Sequence, residues 1–151
     1  MFSVQIKYPY QRKFRFKGVI EIKSEIKFEG GRIEIDNNRI VKFTTDVGKL
    51  ELNHAENFIK SLKENNVRSN VLIIFDAQSL EESTDGIVKK YTVGKLEKHA
   101  SALAVLNNSS ISRFLIHTFL AIYRPNIPVR MFDEEDQARR WLITFRDPEQ
   151  K

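Results

Sequence analysis

Residues 127–145 read IPVRMFDEEDQARRWLITF, and this stretch predicts how the domain ends. The apolar residues at 128–132 are typical of a short strand. Asp133 follows as a predicted helix cap, and the acids at 134–136 lie in the first helical turn, where the partial positive charge of a helix start favours anions. The helix then repeats apolar residues at the spacing of one face: Ala138, Trp141, Leu142 and Phe145. We therefore expect a closing strand–helix unit in which Trp141 packs the last helix against a sheet.

Two further strand–helix units precede this one. The runs NVLIIFD (70–76) and SALAVLN (101–107) are typical of strands buried on both faces. A helical stretch that begins near Leu80 follows the first run, although two glycines weaken it. SISRFLIHTFLAIY (110–123) follows the second run and is apolar on nearly all sides. We expect this segment to be a helix that is either deeply buried or half of an interface.

The front of the chain predicts strands of another kind. VIEIKSEIKF (19–28) alternates apolar and charged residues, as a half-buried strand does. RIEID (32–36) and RIVKFTT (39–45) flank an Asn-Asn pair, which indicates a hairpin because asparagine tolerates positive φ. NHAENFIKSL then predicts an amphipathic helix, with Asn53 as its N-cap and Glu56 completing a capping box.

The order of these elements predicts an α/β fold. We expect a mixed β-sheet, with an N-terminal antiparallel hairpin followed by parallel strands, flanked by about four helices. The chain has 151 residues, which fits a single domain over residues 1–151, with residues 1–18 as a basic, aromatic N-terminal extension. It has no cysteine, no apolar run long enough to span a bilayer and no recognisable signal peptide, so we expect a cytoplasmic protein.

The net charge of +5 lies entirely in residues 1–28, where seven basic residues face two glutamates. KYPYQRKFRFKG (7–18) interleaves aromatic and basic residues. Its candidate basic surface comprises Lys7, Arg12, Lys13, Arg15 and Lys17. Stacking on nucleic-acid bases with phosphate contacts would use this mixture, and so would an anionic membrane surface. The alternative is an edge strand whose charges discourage pairing with other sheets.

The loop NNSSISR (107–113) joins a predicted buried strand to a helix start, where backbone amides favour an anion. The candidate ligands for a phosphate or carboxylate are Asn108, Ser109, Ser110 and Arg113. The simpler interpretation is that Ser109 or Ser110 caps the helix and that Arg113 lies on the surface.

No catalytic or metal site is recognisable in the sequence. His54, His99 and His117 lie in three different predicted elements, without the spacing of metal ligands. The acids at 133–136 point apart on a helix, so they do not predict a metal cluster. The chain has no Gly-rich phosphate loop, nucleophile elbow or His-Glu-x-x-His motif, so we expect neither an enzyme nor a cofactor.

The run ALAVLNNSSISRFLIHTFLAIYRPNIPVRMFDEEDQARRWL resembles the C-terminal half of the SpoIIAA-like, STAS-like bacterial proteins. GGRIEIDNNRIVKF followed by KLELNHAENFIKSL is similar to their front half, so the resemblance covers roughly residues 20–143. It implies a mixed sheet flanked by helices, and a binding or regulatory role without chemistry. This subgroup is also similar to the lipid-transfer CRAL-TRIO fold, which adds an apolar ligand as an alternative.

The resemblance also implies a phosphorylation site. In the anti-anti-sigma members, a serine that opens the second helix is phosphorylated, and the domain then loses its kinase partner. The matching stretch here is DAQSLEESTDGI (76–87), which keeps Ser83 but has Thr84 in place of the family's glycine. Ser83 and Thr84 are therefore candidate phosphoacceptors. The alternative is plain helix capping, because three nearby acids would repel a phosphate.

We expect a non-enzymatic, STAS-like regulatory or protein-docking module. It would bind a protein partner, or a second copy of itself, through the exposed faces of the second and third helices, and Phe119→Asp would break that contact. The first alternative is a carrier or sensor of a small anionic or lipid-like ligand near the loop at 107–113. The second alternative is an adaptor that binds nucleic acid or a membrane surface through residues 7–17.

Overall fold

A computed structural model describes residues 20–65, 67 and 70–146. Its strands are β1 (Ile22–Phe28), β2 (Gly31–Asp36), β3 (Ile40–Thr45), β4 (Val71–Asp76), β5 (Ala100–Leu106) and β6 (Val129–Phe132). Its helices are α1 (Leu52–Glu64), α2 (Gly86–Leu96), α3 (Ser110–Tyr123) and α4 (Glu135–Ile143). Helices and strands alternate from β3 onward, which is the predicted order.

The strands form one mixed sheet in the order β1-β2-β3-β4-β5-β6. The β1–β2 and β2–β3 pairs are antiparallel, whereas the β3–β4, β4–β5 and β5–β6 pairs are parallel. A helical crossover between successive parallel strands returns the chain to the same end of the sheet. The predicted fold class, a mixed sheet flanked by helices, is confirmed.

The sheet separates two apolar cores. On one face, α1 packs against the strands through a group of phenylalanines, in which Phe58 stacks on Phe43 with ring centres 4.2 Å apart and Phe75 meets Phe43 edge-on. On the other face, α4 buries Leu142 against residues such as Ile74 of β4. Central strands supply alternate residues to both cores, which explains why their sequences are apolar throughout.

A buried cluster of ion pairs holds α4 on its face of the sheet. Arg139 of α4 is 1% exposed and donates to Asp36 at 2.6 Å and to Glu135 at 2.8 Å. Glu135 also accepts from Lys42 of β3 at 2.6 Å, and the Lys42 ammonium lies 3.7 Å from Asp76. The cluster therefore joins α4 to three strands. The sequence interpretation assigns the acids at 134–136 to helix electrostatics. For Glu135 that interpretation is incomplete, because its carboxylate also pairs with Lys42 and Arg139.

The predicted hairpin of β2 and β3 is present, but its turn differs in detail. The residue with positive φ is Arg39, at 61°, rather than either asparagine. The Asp36 carboxylate accepts from the amides of Asn38 at 2.8 Å and Ile40 at 3.2 Å. These two hydrogen bonds hold the turn backbone close to the Asp36 side chain. Arg39 lies between the two donors and adopts the left-handed conformation.

The predicted cap of α1 was wrong. Glu51 is the N-cap, and His54 rather than Glu56 completes the capping box, with the Glu51 amide donating to His54 Nδ1 at 3.0 Å. Asn53 instead donates to Glu29 at 2.5 Å. Because the β1–β2 turn lies against this helix start, Asn53 is used for a tertiary contact and an earlier residue caps the helix.

The predicted start of α2 near Leu80 was also wrong. The helix begins at Gly86, because the preceding backbone is held in another way. The amides of Glu81 and Glu82 both donate to the carbonyl of Gly48, at 2.7 and 3.0 Å. Residues before Gly86 therefore form a loop that is attached to the segment after β3.

Candidate functional site

α3 is apolar on its inner and outer faces, and none of its residues is buried. The outer face exposes Ile111 (73%), Phe114 (68%) and Ile122 (79%) to solvent. The inner face directs Ile116 and Phe119 towards a cavity between the helix and the rest of the domain. The deeply buried helix, one of two predicted alternatives, is therefore wrong. The interface helix stays a prediction.

The inner face of α3 covers a cavity of about 90 Å³. Much of its wall consists of apolar side chains from β4, α2, β5 and α3, among them Phe75, Val93, Leu103, Val105, Ile116 and Phe119. A space with such a wall holds an apolar group more readily than water, because water would lack hydrogen-bond partners there.

Polar side chains also line the cavity. Ser83 and Thr84, from the loop before α2, are two of them, and Lys89 of α2 is another. The Lys89 ammonium lies 5.9 Å from the centre of the Phe119 ring, a cation–π contact. Partial burial lowers the pKa of Lys89, and the nearby Asp85 opposes this effect without cancelling it.

Lys89 is the one cation among the described residues that line the cavity. None of the ion pairs between described residues includes it. Among the described residues, Glu82 is the one carboxylate that lines the cavity, and it is exposed to solvent. The arrangement can therefore hold a small group that is apolar at one end and negatively charged at the other.

The loop before α3 is arranged as a helix cap. Ser109 is the N-cap, and its hydroxyl accepts from the Ser112 amide at 3.3 Å. Asn107, which the sequence analysis did not select, is buried and accepts from the Ser109 amide at 2.8 Å. This is the capping arrangement that we gave as the simpler interpretation. An asparagine directly after a buried strand is the signal that could have identified Asn107.

The four residues predicted to bind an anion do not surround one space. Arg113 donates to Asp133 at 2.7 Å, and it lines a separate surface cleft of about 450 Å³ with Arg130, Arg140 and Trp141. The other three, Asn108, Ser109 and Ser110, are exposed and do not line that cleft. Because Asp133 pairs with Arg113, it does not cap α4 as predicted, and Glu134 is the N-cap.

The charges on α2 and α3 have one sign. These helices carry no acidic residue, and their basic residues are Lys89, Lys90, Lys95 and Arg113. Ile87 of α2 is 78% exposed, like the apolar residues on the outer face of α3. We use the name α2–α3 surface for the outward sides of these two helices, where exposed apolar residues lie among basic ones.

The histidines do not come together. His54 belongs to the cap of α1, His99 precedes β5, and His117 lies exposed on α3. Within residues 20–65, 67 and 70–146, no group of three or more His, Asp or Glu residues could hold a metal ion. Burial, together with Lys63 and Lys98, lowers the pKa of His99.

The predicted basic surface at residues 7–17 lies outside the described residues and stays a prediction. Among the helices that are described, none is both long and apolar enough to cross a membrane.

One solved structure agrees with this architecture. An uncharacterised protein of the DUF3478 family with a SpoIIAA-like fold, from Shewanella loihica PV-4, is similar over 82% of this chain and 93% of its own, with 14% identity and a TM-score of 0.51. A protein of unknown function from Arthrobacter sp. FB24 matches over 81% and 99%, with 22% identity and a TM-score of 0.29. None of the curated proteins matches the chain.

At such identities the first of these structures shows the fold alone. The family model that describes a domain of unknown function, DUF7793, matches residues 33–146, which is most of the chain. The chain therefore belongs to the DUF7793 family, and its fold is SpoIIAA-like, as the resemblance implied.

Proposed function

We propose that this chain is a non-enzymatic docking module that binds an acidic segment of a partner protein on the α2–α3 surface. One observation carries the proposal. Of the five large apolar side chains that are exposed among the described residues, four lie on these two helices: Ile87, Ile111, Phe114 and Ile122. Single exposed apolar residues are ordinary, but a group on two helices that border one cavity is typical of an interaction surface.

The charge of this surface favours one kind of partner. Lys89 lines the cavity and Arg113 pairs with Asp133. Lys90 and Lys95 remain on the surface, with no acidic residue on either helix, so a second copy of the chain would bring like charges together. An acidic segment with apolar residues would instead pair with the lysines while it covers the exposed isoleucines and Phe114. We therefore favour a different protein over self-association.

The loop before α2 gives this binding a means of regulation. Ser83 is exposed, Thr84 is half-buried, and both border the cavity together with Lys89. A phosphate on either residue would add about 1.5 to 2 negative charges beside the basic helices. That charge would compete with an acidic partner and weaken its binding.

The experiment places a photo-crosslinking amino acid at position 114 in living cells of the host. Position 52 is the matched control, because Leu52 is the exposed large apolar residue that lies on α1 instead. We expect an acidic protein to crosslink from position 114 and not from position 52. The purified partner should then bind the wild-type chain and bind Phe114→Asp at least about tenfold more weakly, a loss of about 1.4 kcal/mol.

Three results would overturn the proposal. The first is crosslinking that does not distinguish positions 114 and 52, and the second is binding of the purified partner that Phe114→Asp leaves unchanged. The third is binding to anionic lipid vesicles that Phe114→Asp removes, which would identify a membrane surface instead. Phe119, the residue that we selected from sequence, is unsuitable for this test because it faces the cavity.

A further inference from the structure

The cavity under α3 has the chemistry of a small-ligand site, separate from the outward docking surface. Side chains from the sheet, α2 and α3 line a partly open space of about 90 Å³. Protein interiors are close-packed, and voids larger than a water molecule are few in a domain. The space beneath α3, a helix without buried residues, is therefore large enough to hold a small ligand.

The size of the cavity limits the apolar part of that occupant. An engineered apolar cavity of about 150 Å³ stays dry and binds benzene. The space here is smaller, about 90 Å³, so a compact branched group fills it better than a long alkyl chain does. Its wall, which includes Val93, Leu103 and Ile116, presents methyl groups to such a ligand.

The polar side chains that line the cavity define the other end of the ligand. Lys89 is half-buried over the Phe119 ring and has no ion pair among the described residues. A partly desolvated cation gains from an anion at hydrogen-bond distance, because the anion replaces the water that burial removed. The hydroxyls of Ser83 and Thr84 also line the cavity and can donate further hydrogen bonds. Glu82 is exposed there, so solvent screens its charge.

We propose that this cavity binds a small branched-chain carboxylate, with the branched group inside the cavity and the carboxylate on Lys89. The inference does not depend on the docking function, because it concerns the inner side of α3.

The probe is 3-methylbutanoate, with 3-methylbutan-1-ol as its uncharged counterpart. Backbone amide chemical shifts in NMR titrations at neutral pH report both affinity and location. We expect 3-methylbutanoate to bind with a Kd below about 1 mM. The alcohol should bind at least about tenfold more weakly, since it lacks the charge-assisted hydrogen bond to the ammonium. The shifts should centre on Phe75, Val105 and α3.

Two substitutions on neighbouring residues test the role of the ammonium. Lys89→Gln should reduce the affinity for the acid to that for the alcohol. Lys90→Gln is the matched control, because Lys90 is exposed and does not line the cavity, and it should leave both affinities unchanged. A third variant, Val93→Phe, should fill the cavity and abolish binding of both compounds, with an amide spectrum that shows the fold is kept.

Several outcomes would overturn the inference. One is the absence of saturable shifts up to about 10 mM probe, roughly ten times the expected Kd. Another is equal affinity for the acid and the alcohol, or an affinity for the acid that Lys89→Gln leaves unchanged. Tighter binding of hexadecanoate than of 3-methylbutanoate would contradict the compact size, because a long chain requires a larger space.

Discussion

The guanidinium of Arg139 donates to the carboxylate of Asp36 at 2.6 Å, across 103 residues of sequence. Both side chains are almost fully buried. Burial lowers the pKa of Arg139, but Asp36 and Glu135 raise it further, so that the pKa lies above its ordinary value. Asp36 also accepts from the amides of Asn38 and Ile40. One carboxylate thus holds the β2–β3 turn and α4 together.

Loss of this guanidinium should strongly destabilise the fold. Arg139→Met would leave the carboxylates of Asp36 and Glu135 buried with one cation fewer, so we expect the free energy of unfolding to fall by about 3–5 kcal/mol. Urea denaturation measures this change. The control is Arg140→Met, because Arg140 pairs with Asp136 and half of its side chain is exposed. Its loss should be smaller, because the start of α4 also stabilises the Asp136 carboxylate, and equal losses for the two variants would contradict the prediction.

Acid should weaken the same cluster through Glu135. Burial alone would raise the pKa of Glu135, but Lys42 and Arg139 outweigh burial and hold the pKa below its ordinary value of 4.5. The ionised carboxylate therefore stabilises the fold above pH 4.5, and this contribution is lost as the pH falls through the folded-state pKa.

The variant that tests this pH dependence is Glu135→Gln. We expect its deficit in unfolding free energy to be largest near neutral pH and to shrink as the pH falls through the folded-state pKa, because the wild-type carboxyl is then also neutral. Chemical denaturation at a series of pH values measures the deficit. Glu134→Gln serves as the control, since Glu134 is exposed and belongs to none of the ion pairs of the described residues. The prediction would be wrong if the loss of unfolding free energy caused by Glu135→Gln became larger as the pH falls.

The β1–β2 turn should tolerate no side chain at Gly30. Its φ is +110°, and a Cβ atom there would lie 2.6 Å from the Cβ of His54. We expect Gly30→Ala to lower the free energy of unfolding by more than about 1 kcal/mol. The control is Gly86→Ala, because no atom lies within 4 Å of the added Cβ, and alanine should raise stability by up to about 1 kcal/mol. Thermal unfolding distinguishes the two variants. If Gly30→Ala were as stable as the wild type, the predicted clash with His54 would be wrong.

Replacing Phe114 and replacing Phe58 should change the free energy of unfolding by very different amounts. Phe114→Ser should change the free energy of unfolding by less than about 0.5 kcal/mol, because the Phe114 side chain is mostly exposed. Phe58→Ala should cost about 3–5 kcal/mol, because Phe58 is fully buried against the other aromatic rings. Urea denaturation measures both. A large loss for Phe114→Ser would mean that α3 supports the fold rather than presenting a surface.

The element types and the fold class could be predicted from short segments of sequence. The apolar runs of β4 and β5 and the helical spacing around Trp141 are local patterns, and each lies in the predicted element. Trp141 contacts Phe132 and Phe145, as expected for a residue that packs the last helix on the sheet. The caps were less predictable, because several neighbouring residues can accept the same amide bond and tertiary contacts decide which one does.

The candidate sites depended more on distant contacts. Arg113 was predicted from its place in the loop at 107–113, but its partner Asp133 comes from another strand end. In the same way, Phe119 and Phe114 could not be told apart from sequence. A helix that is apolar on nearly all sides has no polar stripe to mark its outer face, so the pattern cannot show which residues face inwards.

The sequence by itself therefore determined the order of strands and helices, because hydrophobic periodicity and turn residues act over a few neighbouring positions. Only the tertiary structure decided the Asp36–Arg139 pair, the exposure of α3 and the cavity beside Lys89. These features depend on which distant side chains meet and how completely they fill the space between elements. That outcome belongs to the packing of the whole domain, and no local pattern contains it.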